Sequence, residues 1–301
     1  MGKPGREPTA TRQTEATVAL KNVVAGGGSP WRPNAPTGEE GLNRQREPLP
    51  TRVGELPPLP DAYGIALEPA LAALAAYEVR LDERALVTIA DHIRLLLAWN
   101  QAINLTSITE PAAVARLHVV DSLAGIPIIH EGPHATVLDL GSGGGFPGIT
   151  IAAVLSEDRV TLVESVRKKA AFLDAASNAT GLEGRVVVLA DRGEAVAPGF
   201  WDVVTARAVG SLADLVEIAL PLLAPGGRLV AWKRGDVGQE MRIASRAAAA
   251  LGGAVPIWRP YPDSLVRAAG LDGHGVVVVR KVLETPPGFP RDPAARRRRP
   301  W

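Results

Sequence analysis

The chain contains no cysteine. That excludes disulfide scaffolds, thiolate metal sites and a cysteine nucleophile, and it fits a reducing compartment. The five histidines, His92, His118, His130, His134 and His274, read as scattered, and no metal is expected. No apolar run approaches the roughly 20 residues needed to cross a bilayer. The opening stretch "MGKPGREPTATRQTEATVALKNVVAGGG" has no apolar core followed by a cleavage site. A cytoplasmic protein with no membrane partner is expected. Net charge is +1, which by itself carries no electrostatic footprint of nucleic acid. With 46% hydrophobic and 22% charged residues over 301 positions, the chain suits one or two globular domains.

Residues 1–60 are rich in Pro, Gly and charge, lack sustained periodicity, and read as a disordered extension. Residues 65–128 form a small helical module. "EPALAALAAYEV" predicts a helix from Leu67 with Pro69 in its first turn. Asp82 caps a second helix in which Leu86, Ile89, Ile93, Leu96 and Leu97 recur at helical spacing. "PAAVARLHVVDSLAGI" gives a third. Residues 129–285 then alternate strand and helix, with strands in 135–140, 159–165, 185–191, 201–209, 228–234 and 275–282. This alternation predicts an α/β fold with a doubly wound, mostly parallel sheet. Residues 286–301 read as a basic tail.

Ligands of such sheets bind outside the C-terminal strand ends, where strand order reverses. The first β–α turn is "DLGSGGGFPG", residues 139–148. A dinucleotide fingerprint starting at Gly141 would require a third glycine where Phe146 stands, and a P-loop would require a lysine that is missing. An acid, Asp139, opens the loop, and a second, Glu164, ends the next strand, where a carboxylate can bind ribose hydroxyls. S-adenosylmethionine, with a sulfonium, an ammonium and a ribose diol, suits that pattern better than a pyrophosphate. Gly193 and Glu194 follow the third strand, beside an adenine position, or form an ordinary turn. Arg207 ends the fourth, as a partner for a ligand carboxylate or an RNA phosphate, or for a surface acid.

The ordered segments "LLLAWNQAINLTSI", "HVVDSL", "VLDLGSGGGFPGI", "VTLVESVRKKAAFL", "DRGE", "WDVVTARAV" and "LLAPGGRLVAWK" resemble the bacterial 16S rRNA guanine-N7 methyltransferase family, RsmG or GidB (glucose-inhibited division protein B). The resemblance runs from about Leu67 to the C-terminal end. It implies a Rossmann-like class I methyltransferase fold and S-adenosylmethionine as cofactor. The small-subunit rRNA, free or in its particle, would be the partner of a monomeric enzyme. It places cofactor contacts at Gly141, Phe146, Gly193, Glu194 and Arg207, with Glu164 on the ribose. Lys168, Lys169, His118, Asp121 and Ser122 would surround the substrate entrance, with Arg207, His118 and Asp121 as positioning candidates. Arg234 stands where the family often has glycine after Lys233, and residues 1–60 have no counterpart.

Methylation at N7 needs no general base, because that nitrogen carries an in-plane lone pair and no proton; alignment suffices. This agrees with a sequence that offers no evident nucleophile or acid–base pair. Basic candidates for RNA contact are Arg116, Arg167, Lys168, Lys169, Lys233 and Arg234, and the run Arg296 to Arg299 is either RNA-binding or a solvated tail. Trp232 is a candidate for base stacking, and Trp99 is assigned to the core. A nucleotide-dependent Rossmann oxidoreductase and a non-catalytic ribosome-binding protein are the competing readings.

Overall fold

The computed structural model describes residues 49–301. Its elements run in chain order as α1 (Asp61–Ala76), α2 (Glu83–Asn100), α3 (Pro111–Val114, continued by Ala115–Val120 and Asp121–Leu123), α4 (Ile126–Ile129), β1 (Thr136–Leu140), α5 (Gly148–Val154), β2 (Arg159–Val163), α6 (Arg167–Ala179), β3 (Val186–Leu189), β4 (Trp201–Arg207), α7 (Leu212–Leu222), β5 (Leu223–Arg234), α8 (Gly238–Ala250), β6 (Ile257–Pro260), α9 (Asp263–Ala269), β7 (His274–Arg280) and α10 (Pro293–Arg298). The middle stretch of α3, Ala115–Val120, is π-helical.

One seven-stranded sheet has the order β3-β2-β1-β4-β5-β7-β6. The first five strands are parallel, and β7 and β6 join antiparallel. Order reverses between β1 and β4, paired Val137 to Val203 through Leu140 to Ala206, so their C-terminal ends open the expected crevice. Alternation along the strands sorts side chains into two cores. Val137, Val160, Val203, Val230 and Val276 face the helical module and α6, while Leu138, Val204, Leu229, Ala231 and Val277 face α7 and α8. The strand β6 was not legible: "IWRP" is a largely exposed edge closed by proline, without an alternating apolar pattern.

Several expected boundaries move. Helix α1 starts at Asp61, so Pro69 lies in its interior instead of its first turn. Residues 1–48 of the expected extension lie outside the described residues, but 49–60 are packed on α2. Trp99 Nε1 donates to Pro50 O (2.7 Å), and Arg94 donates to the carbonyls of Val53, Leu56 and Pro57. The expected C-terminal tail contains α10, docked by partly buried ion pairs treated below. Pro111–Ile129 is long and apolar enough to span a membrane by length and composition, but most of it is buried against the rest of the protein. Its apolar residues are core.

The helical module is riveted to the sheet by two β5 residues. Arg228 is buried and donates to the carbonyls of Ile128, Ile129 and Pro133. Trp232 Nε1 donates to Asp121 O at 2.7 Å, and its ring fills the space over Gly125, where a Cβ would meet it at 2.1 Å. Replacing Arg228 with Met keeps much of the stem but leaves two buried carbonyls, those of Ile128 and Ile129, without their donor. Each such loss costs about 1–3 kcal/mol, so Arg228→Met should lower urea-unfolding stability by about 2 kcal/mol or more, with an unchanged m-value.

Candidate active site

The loop after β1 is fastened by its own backbone. Gly141 and Ser142 N–H groups donate to Val163 O at the end of β2 (2.8 and 3.1 Å), and Gly145 N–H donates to Ser142 O (2.7 Å). Gly145 has φ +87°, and a Cβ there would come within 2.7 Å of His92 Nε2. Gly141, at φ +67°, would meet Val209 at 2.7 Å if it carried a side chain. Glycine at both places lets the loop lie against α2 and against the β4 exit.

Asp139, the acid expected to face the ligand, does not do so. It is fully buried below the loop, where its Oδ1 accepts from Thr205 Oγ1 (2.7 Å) and its Oδ2 from Gly148 N–H at the start of α5 (3.2 Å). Burial raises its pKa to about 6, with those hydrogen bonds and Arg207 opposing. Its work is to hold the loop on the sheet.

Glu164 directly follows β2, beside the loop, and is buried. Oε2 accepts from Gly143 N–H (3.0 Å) and Oε1 from Val166 N–H (2.8 Å). Each carboxylate oxygen has a second lone-pair direction, so two acceptor sites remain for a diol.

Arg207 ends β4 inside a polar network. Its Nη1 donates to Asp121 Oδ2 and to Leu117 O, both at 3.1 Å, and its Nη2 donates to His118 Nδ1 at 3.0 Å. Because arginine can only donate, His118 Nδ1 accepts, and the ring proton sits on Nε2, directed at Thr106 Oγ1 (2.8 Å). Asp121 Oδ1 takes Tyr261 OH (2.9 Å) and His274 Nδ1–H (3.0 Å). The next residue, Ala208, has φ +58°, an uncommon state for a residue with a Cβ. That turn carries the chain back toward Gly141.

Phe146 lies under this network. His118 stacks on it (centroids 4.5 Å apart, planes 11° apart), His92 tilts against it at 4.7 Å, and the Arg207 guanidinium lies 5.3 Å from its centroid. His92 Nε2–H donates to Gly144 O (2.8 Å), which fixes the loop from beneath. Burial holds both histidines neutral: it lowers His92 to about 4 and, helped by Arg207, His118 to about 3.

The structure brings Gly141, Phe146, Glu164, Gly193 and Arg207 to one end of the sheet, at the exits of β1 to β4. Glu194 is there too, but its carboxylate is paired with Arg296. His118, Asp121 and Ser122 are corrected: each is buried, so they form the wall under the site, not an entrance. Ser122 Oγ donates to His118 O within the helix (2.5 Å). Lys233 is bound to Glu240 (2.7 Å) and is unsuited to RNA contact, whereas Arg234 is exposed with no ion pair among the described residues. Arg167 and Lys168 are exposed and Lys169 half-buried, at the start of α6, where cations run against the helix dipole. Arg116 is half-buried and turned back to Ala112 O (3.3 Å). Trp232 is core, not a base platform, and Trp99 is core as expected.

Sequence reasoning missed His92, Thr106, Tyr261 and His274. The one available signal was Asn100, whose side chain accepts from Leu105 and Thr106 N–H and donates to Thr106 O, shaping the loop that presents Thr106. "HEGPH" at 130–134 has the letters of a helical zinc motif, but Gly132 and Pro133 keep it in a turn after α4. His134 there is bound to Asp158 (2.8 Å). No group of three potential ligands among the described residues is placed to hold a metal.

The sequence model of GidB, described as rRNA small subunit methyltransferase G, matches residues 86–256. The chain belongs to this family. It is 39% identical over 230 residues to the ribosomal RNA small subunit methyltransferase G of Roseiflexus sp. (strain RS-1), covering 75% of this chain and 95% of that one. The protein of the same name from Lactococcus lactis subsp. lactis is 33% identical over 228 residues, covering 73% and 93%. Among solved structures, an S-adenosylmethionine-dependent O-methyltransferase from Thermotoga maritima has 16% identity and a TM-score of 0.43, covering 64% of this chain and 72% of that one. Membership makes the chain an S-adenosylmethionine-dependent rRNA methyltransferase, and the oxidoreductase reading is not favoured.

The residues present fit that cofactor. Glu164 keeps two acceptor sites, and Arg207 uses three of its five N–H groups on Leu117, Asp121 and His118, leaving two for a carboxylate.

The neutral histidines make stability depend on pH. A histidine held at about 3 or 4 in the fold but near 6.5 when unfolded loses about 1.4 kcal/mol of stability per pH unit as pH falls below 6.5. Asp139 opposes this below its value of about 6, because there the folded state takes up the proton first. Two losses against one gain leave a net fall of about 1.4 kcal/mol per unit from pH 6 to 4 due to these three groups. Thermal unfolding should therefore show a lower Tm at pH 5 than at pH 7.5. Replacing His92 with Gln should flatten that slope.

Proposed function

We propose that the enzyme methylates N7 of a guanine in 16S rRNA by in-line transfer without a general base. The observation that carries the reading is the commitment of the side chains nearest the loop. Both nitrogens of His118 and both carboxylate oxygens of Asp121 are hydrogen-bonded, and burial keeps His118 neutral. Neither is free to remove a proton, and N7 has none to give. The cofactor supplies a methyl group on a sulfonium, open to attack by a lone pair.

The protein contributes alignment and binding. Glu164 holds the ribose, Arg207 the methionine carboxylate, and the Gly141 loop passes close to the methionine part beside Phe146. The backbone at Gly193 and Glu194 borders the adenine. His118 and Asp121 are positioning residues that aim Arg207. Arg167, Lys168, Lys169 and Arg234 supply phosphate contacts. The protein works as a monomer in the cytoplasm, without metal or membrane, on free rRNA or its particle.

Two experiments check this. Labelled methyl transfer to small-subunit RNA, followed by chemical cleavage specific for N7-methylguanine, should place the label at one guanine; label on an exocyclic amine or a ring carbon would sink the mechanism. In calorimetry, Glu164→Ala should weaken S-adenosylmethionine binding by about 1.5–3 kcal/mol while RNA affinity holds. The Lys168→Ala, Lys169→Ala pair should do the reverse, keeping cofactor affinity and lowering the salt slope of RNA binding by about one and a half. Unchanged cofactor affinity in the Glu164 variant would remove the ribose assignment.

A further inference from the structure

The C-terminal segment returns to the cofactor end of the sheet by a traceable route. Strand β7 runs antiparallel and so ends at the far edge, away from the crevice. There Thr285 Oγ1 donates to Leu251 O after α8 (3.0 Å). The chain then climbs α7 toward its N-terminal end. Midway, Arg291 forms a two-pronged pair with Glu217 (Nε–Oε1 3.0 Å, Nη2–Oε2 2.5 Å), a carboxylate with no exposure, and Trp301 Nε1 donates to the same group (2.6 Å). These donors hold Glu217 below the usual carboxylate range against the cost of its burial. At the top, Arg296 is buried, donates to Arg291 O (2.7 Å), pairs with Glu194 and lies 4.0 Å from Asp214 in the first turn of α7.

The arginine run therefore divides. Arg296 is spent inside the protein, on an acid that borders the cofactor crevice. Arg297, Arg298 and Arg299 directly follow it, are exposed, and have no ion-pair partner within 4 Å among the described residues. Asp292 caps α10 by accepting from Ala294 and Ala295 N–H (2.9 Å each), which holds the three arginines as a docked turn. A tail whose charges served only solubility would not require two ion pairs, each with one buried partner, to seat it.

We propose that Arg297, Arg298 and Arg299 form an anchored phosphate clamp that grips the RNA backbone beside the cofactor crevice, with Arg291 and Arg296 as the residues that position it. This rests on the rRNA-methyltransferase reading. Three guanidinium groups on consecutive residues bind phosphates without reading sequence, so the clamp adds affinity and orientation, not choice of base.

The test uses the full chain, S-adenosylmethionine and the small-subunit RNA. Arg297→Gln, Arg298→Gln and Arg299→Gln combined should leave cofactor affinity unchanged. It should weaken RNA binding at least tenfold near 0.1 M salt and lower the slope of log K against log salt by about two, the expectation for three single-strand phosphate contacts. Arg296→Gln should weaken RNA binding as well, and it should also lower cofactor affinity, because Glu194 loses its partner. RNA affinity and salt slope equal to wild type in the triple variant would overturn the clamp. Failure of the unaltered protein to transfer methyl to the RNA would instead overturn the underlying reading. A triple variant that binds cofactor normally is folded, so a loss of RNA affinity in it is due to the missing charges.

Discussion

The ion pair between Arg207 and Asp121 is the contact on which the rest of the site depends. One partner ends a central strand, and the other sits just past a π-helical stretch of α3. Both are largely removed from water, so the pair persists only because further hydrogen bonds support both partners. Asp121 is also bound by Tyr261 and His274, and its carbonyl by Trp232, while Arg207 is shared with Leu117 O and His118. Four parts of the chain, α3, β4, β5 and the β6–β7 region, meet at one residue, Asp121. Removing either charge would strand the other in a dry interior.

That hub explains why a helical module precedes the sheet. Its helices pack over one face, and α2, the loop after it and α3 deliver His92, Thr106 and His118 to the underside of the glycine loop. His92 fixes Gly144, His118 stacks on Phe146, and Thr106 fixes the His118 tautomer. The π-helical stretch Ala115–Val120 contains His118 and leads directly into Asp121, the two side chains that meet Arg207. Local irregularity of this kind is frequent at functional sites, where a side chain must be re-aimed without ending the helix.

Much of the fold was legible because its signals are local. Val-rich runs alternating with helical periodicity, and glycines at the first turn, are consequences of short-range sterics and burial. Phe146 and the missing lysine excluded phosphate-binding loops for the same reason. The edge strand Ile257–Pro260 was not legible because an exposed edge needs no apolar pattern. Pro69 misled because a proline early in an apolar periodicity looks like a helix start, whereas α1 begins eight residues before it.

What the sequence by itself determined was the family and the sheet, since both are carried by patterns of residues close together in the chain. Only the tertiary structure decided which charges are free. Asp139, Lys233 and Arg296 look in sequence like ligand or RNA groups, yet each is bound to a partner brought near by folding. His118 and Asp121 likewise change from an entrance to a buried wall. The reason is physical: a charge's role depends on the dielectric around it and on partners up to about a hundred residues away, such as Glu194 for Arg296, and no spacing rule contains that information.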